Sequence, residues 1–109
     1  MAKILSTKYM METEKRHSYG GPTLDVTRMW YLDSTDCDGV RKILDQEFKR
    51  EFHEKDVRKY QSIELQENGT MFVYFSVKID YNKPRHKTEM FVGKEASMMR
   101  RISDRLKAL

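Results

Sequence analysis

The sequence predicts an α+β domain, a mainly antiparallel sheet of about five strands with two helices in the order ββαβββα. Three patterns carry that expectation. Met71, Val73, Phe75, Val77, Ile79 and Tyr81 place an apolar side chain at every odd position, the period of a strand buried on one face. Cys37, Val40, Leu44 and Phe48 recur at threes and fours, flanked by Ile43 and Phe52, which is the stripe of an amphipathic helix. Met98, Met99, Ile102, Leu106 and Leu109 form a second such stripe that closes the chain. At 109 residues the whole chain, 1–109, reads as a single domain.

The remaining elements follow from weaker signals. Between Lys3 and Lys15, Leu5, Tyr9 and Met11 alternate with Ser6, Lys8 and Glu12, with Ile4 and Met10 blurring the parity of a first strand. His17–Pro22 (HSYGGP) has the glycines and proline of a turn. Leu24, Val26, Trp30 and Leu32 then share one parity, broken by Arg28, and form a hairpin with the first strand. On the first helix, Asp38 with Lys42 and Asp45 with Lys49 are acid-before-base pairs one turn apart, worth about 0.3 kcal/mol each. Ile63 and Leu65 mark a third strand, and the Asn68-Gly69 pair leads through a tight turn into the fourth. After YNKPRHK, the segment TEMFVG (88–93) is expected to be a short fifth strand.

Composition narrows the functional classes. Hydrophobic residues make up 39% and charged residues 35%, a solvated shell around a thin core. One cysteine excludes an internal disulfide, and no apolar run reaches the length of a membrane span. The expectation is a cytoplasmic chain with no membrane partner. Residues 1–82 hold 13 basic and 14 acidic side chains, whereas 83–109 hold 8 and 3, so the net charge of +4 lies wholly in the last quarter. That concentration points to an anion-facing surface.

The acidic stretch DSTDCDGV (33–40) is the sharpest local feature. As a calcium loop it fails at both ends of the ligand series, because Gly39 at the glycine position leaves Ser34 first and Asp45 last. As a helix start it fits, with Thr35 and Asp38 in a capping-box pattern and Ser34 or Asp33 as other candidates for the cap. Gly39 then costs about 1 kcal/mol relative to alanine. Cys37 lies on the apolar stripe between two acids, which opposes a reactive thiolate. His17, His53 and His86 show no metal-ligand spacing with it, and the chain has no nucleophile elbow, P-loop or dinucleotide fingerprint. No catalytic residue, metal or cofactor is expected.

Nucleic-acid binding makes the more coherent case. On the fourth strand, Phe72, Tyr74 and Lys78 face away from the core set, and aromatic side chains on a sheet stack bases while lysine attracts phosphate. NGTMFVYF (68–75) overlaps the RNP1 pattern at Gly69, Phe72, Val73 and Phe75 and departs from it at Asn68, Thr70 and Met71. Lys83, Arg85 and Lys87 with Arg100, Arg101, Arg105 and Lys107 supply cations that neutralise phosphates without reading sequence. Without its first strand, the order βαβββα is similar to that of ribosome-associated hibernation factors, and its αβββα part to double-stranded RNA-binding domains. The resemblance is one of element order and implies an RNA or ribonucleoprotein partner.

The leading expectation is therefore a small non-enzymatic protein that binds nucleic acid through its C-terminal basic elements. The alternative is a protein-binding inhibitor or adaptor, because eight methionines offer adaptable apolar surface. Unpaired strand edges also leave homodimerisation open.

Overall fold

A computed structural model describes residues 2–14, 23–80 and 88–109. The order is β1 (Lys3–Glu14), β2 (Thr23–Asp33), α1 (Cys37–Glu51), β3 (Val57–Leu65), β4 (Met71–Asp80), α2 (Thr88–Lys107). All neighbours in the sheet β1-β2-β4-β3 are antiparallel. The sheet thus has four strands, and the element order is ββαββα. The predicted fifth strand, TEMFVG, is instead the first turns of α2. That correction removes the βαβββα order on which the likeness to hibernation factors and double-stranded RNA-binding domains was drawn. It also exposes a repeat. The chain is two ββα units whose inner strands, β2 and β4, pair with each other, so the units are related by an approximate two-fold normal to the sheet.

Parity decides which face is buried. Leu24, Val26, Trp30 and Leu32 lie beside Val73, Phe75, Val77 and Ile79 on one face, and both helices cover it. Val40, Ile43 and Leu44 of α1 enter this core with Phe91, Met98, Met99, Ile102 and Leu106 of α2. The Trp30 indole N–H donates to Ser103 Oγ at 3.0 Å, tying α2 to the centre of the sheet. The first strand owes its blurred pattern to a bulge. Ile4 pairs with Leu32 and Ser6 with Tyr31, so Leu5 is extra. Inward positions switch there from even (Ile4) to odd (Thr7, Tyr9, Met11).

Local contacts differ from expectation at the start of α1. The cap is Asp36, whose carboxylate accepts from the Gly39 N–H at 2.9 Å; it is not Thr35. A methyl group at Gly39 would collide with that carboxylate, so the glycine is what admits the cap. Asp38 pairs with Arg41 at 2.8 Å rather than with Lys42, and Asp45 reaches Lys59 on β3 at 2.7 Å rather than Lys49. The β3–β4 turn falls where expected, but only Gly69 takes a positive φ (+80°); the Gly69 N–H donates to Gln66 O at 3.1 Å, and the Asn68 side chain accepts from the Thr70 N–H at 3.2 Å. The HSYGGP turn and the YNKPRHK break lie outside the described residues.

The cap yields a prediction of opposite signs. Asp36→Ala should cost about 1 kcal/mol in denaturant unfolding, and Thr35→Ala much less. Gly39→Ala, which helix propensity alone would make stabilising by about 1 kcal/mol, should instead destabilise.

Candidate binding face

The face opposite the helices carries the alternate parity: Thr23, Asp25, Thr27, Met29 and Tyr31 of β2 beside Phe72, Tyr74, Ser76, Lys78 and Asp80 of β4. Arg58, Tyr60, Ser62 and Glu64 of β3 flank it on one side. Lys8, Met10 and Glu12 of β1 flank it on the other. Among the described residues no helix lies on this face. The aromatic side chains meet across strands. Tyr31 and Phe72 are cross-strand partners with ring centroids 5.0 Å apart. Tyr60 and Tyr74 meet edge-on at 5.8 Å. Tyr31 remains 43% and Tyr60 65% exposed, so each pair offers one open ring and one half-buried ring. Leu65 and Leu5 are exposed at the same end of the sheet as Tyr31 and share a hollow with it.

Toward the other end the face turns polar. Thr27 donates to Ser76 Oγ at 3.2 Å, Ser76 donates in turn to Asp25, and Lys78 Nζ stands 3.7 Å from the second Asp25 oxygen. Asp25, Ser76 and Lys78 with Arg58, Tyr60 and Tyr74 bound a shallow hollow of about 290 Å³. The charges nearly balance. Lys3, Lys8, Arg58 and Lys78 are opposed by Glu12, Asp25, Asp33, Glu64 and Asp80 on the same face. Lys78, expected as a phosphate ligand, therefore has a carboxylate beside it.

The basic helix is likewise engaged. Arg101 Nε donates to Glu47 at 2.7 Å and its terminal nitrogen to Glu51 at 2.7 Å. Arg105 reaches Glu47 at 3.3 Å and Gln46 at 2.8 Å. Glu47 is only 3% exposed. Burial alone would raise its pKa, but hydrogen bonds from Arg101 and Arg105 outweigh that and hold the carboxyl below its ordinary value. Arg101 and Arg105 thus fasten α2 to α1, on the helix side of the sheet and away from Phe72, Tyr74 and Lys78. Arg100 and Lys107 are exposed on α2, and Lys83, Arg85 and Lys87 lie outside the described residues. The structure joins Phe72, Tyr74 and Lys78 on one face but does not bring the helical cations to it.

Sequence reasoning missed Tyr31 and Tyr60, although both have the parity opposite to their strand's core set. It also missed a buried polar cluster. Arg28 points to the helix side, with its guanidinium 4.9 Å from the centre of the Tyr9 ring. Glu95 of α2 is fully buried, and among the described residues neither its carboxyl oxygens nor the buried Arg28 Nε has a hydrogen-bond partner. Tyr9 approaches Glu95 closely enough to perturb it without completing a hydrogen bond. Desolvation raises the Glu95 carboxyl to about 7, against the opposing pull of Arg28 and Tyr9. Tyr9 is raised as well, by burial and by the Glu95 charge. The broken parity at Arg28 is the signal that marked this place. No group of three or more His, Cys, Asp or Glu side chains suited to a metal occurs among the described residues. Nor, among them, is any helix long and apolar enough to cross a membrane.

Two predictions follow from the paired and unpaired glutamates. Arg101→Ala should lower stability by roughly 2 kcal/mol, because it strips a buried carboxylate of its best partner. For Glu95 the native carboxyl titrates near 7 and the unfolded one near 4.5. Between those values the native state keeps a proton that the unfolded state has lost, so this group's contribution falls as pH rises through that window. Glu95→Gln should remove that decline in thermal denaturation and melt higher than the parent above pH about 7.

A scan against protein-family models finds no match to this chain, and neither does a search of curated proteins or of solved structures.

Proposed function

We propose that this chain is a small binding module that docks a protein partner on its open sheet face. One observation carries the reading: the aromatic pairs Tyr31–Phe72 and Tyr60–Tyr74 stand on a sheet face that no described helix covers, amid nearly balanced charge. Aromatic rings held by cross-strand neighbours have little side-chain entropy left to lose, and tyrosine is enriched at the centre of protein interfaces. Phosphate recognition, by contrast, draws its affinity from an excess of unpaired cations. Arg101 and Arg105 are spent on Glu47 and Glu51, and Lys78 stands beside Asp25. That distribution favours the adaptor or inhibitor over the nucleic-acid binder.

Base stacking is the second reading, favoured by the spacing of Phe72 and Tyr74 two residues apart on one strand. A single comparison separates the two. Partner capture from a cell extract should resist added salt and fall at least tenfold with Tyr60→Ala or Tyr74→Ala, the loss typical of a buried interface aromatic. Amide exchange in the captured complex should be slowed along β2 and β4. RNA probes that bind the parent, weaken steeply with salt and lose binding through the same substitutions would overturn the protein reading in favour of stacking.

A further inference from the structure

The outer edge of β1 is a long, unpaired ladder of backbone groups. Among the described residues no strand pairs with it, and it runs for twelve residues without proline. Its side chains are poorly covered on both faces. Tyr9 and Met11, which point to the helix side, are 42% and 44% exposed, because the helices lie mainly over the central strands β2 and β4. The other edge, β3, is guarded. Lys59, the third residue of that strand, points to the helix side and is held by Asp45 at 2.7 Å and Gln61 at 2.9 Å. An inward charge is one of the devices by which natural edge strands avoid further pairing. The β1 edge has a bulge at Leu5, near one end, and no inward charge beyond it.

We propose that β1 pairs antiparallel with β1 of a second copy of this chain, about a two-fold axis at Met10. The sequence of the strand is self-complementary in that register. Lys8 falls opposite Glu12 of the second copy, and Glu12 opposite its Lys8, both on the open face. Met10 meets Met10 on that face. Tyr9 falls opposite Met11 on the helix side, twice over, and Thr7 opposite Thr13. Like-sided residues thus meet oppositely charged or apolar partners at each position from Lys8 to Glu12, with a threonine pair at either end. The bulge stands outside this span. A closed two-fold contact of this kind gives a dimer and stops there. It makes one eight-stranded sheet with all four helices on one side, and it joins the two open faces into a continuous surface.

The experiment is a charge swap read by sedimentation equilibrium, with circular dichroism to confirm that each variant folds. The parent should dimerise. Lys8→Glu and Glu12→Lys, each of which sets two pairs of like charges face to face, should each weaken the dimer about tenfold or more. The double variant Lys8→Glu/Glu12→Lys restores both pairs with reversed sign and should return to within about threefold of the parent. Both positions of the swap are solvent-exposed, so the fold should survive every variant. A monomeric parent, single variants that dimerise like the parent, a double variant no better than the singles, or open-ended polymers would each overturn the proposal.

Discussion

The antiparallel ladder between β2 and β4 is the joint on which the rest of the molecule depends. It runs from Thr23↔Asp80 to Leu32↔Met71 and is the only strand pairing between the two ββα units among the described residues. Because it sets the units back to back about a two-fold, α1 and α2 must lie side by side and antiparallel. That is why Glu47 and Glu51 of one helix face Arg101 and Arg105 of the other. The same joint puts Trp30 and Val73 together under the helices, and Tyr31 and Phe72 together on the opposite face. A slip of one residue would exchange those sets and bury the tyrosines against α2.

Two buried glutamates show how differently one residue type can be accommodated. Glu47 keeps its charge because two guanidiniums hydrogen-bond it and a third, Arg50, stands 3.8 Å away, whereas Glu95 has only the electrostatic pull of Arg28 and a tyrosine hydroxyl that falls short. In a region of low dielectric, an ion is tolerated in proportion to the partners supplied for it. Glu47 therefore fastens the helices together. Glu95 lies buried between α2 and the edge of the sheet with its carboxyl favoured in the protonated form.

These two residues also explain what the sequence concealed. The alternation of β4 and the stripes of α1 and the last turns of α2 are legible because apolar residues occupy every inward position. The first half of α2 is not, because its stripe runs Phe91, Glu95, Met98 through a glutamate, with Gly93 adding a break; read without Glu95, TEMFVG looks like a strand. That single error hid the ββα repeat, since five strands cannot divide evenly. On the first strand the mixed parity of Ile4 and Tyr9 was a real signal, but a bulge is set by tertiary pairing and reads as noise along the chain. The open-face set of Phe72, Tyr74 and Lys78 was legible from parity alone. The engagement of Arg101 and Arg105 was not, because their partners lie about fifty residues away on a helix whose placement the sequence does not state.

The lone tryptophan has a consequence for how the molecule can be watched. Trp30 is wholly buried, and its indole N–H is bonded to α2, while the tyrosines of the open face stand on the far side of the sheet. Its fluorescence is thus an intrinsic reporter of helix docking. Emission should shift to the red whenever α2 lifts, even with the strands still paired, yet stay still when something settles on the aromatic face. Events on Tyr31, Tyr60 and Tyr74 would leave the tryptophan signal untouched, so one intrinsic fluorophore separates what happens to the helices from what happens on the open face.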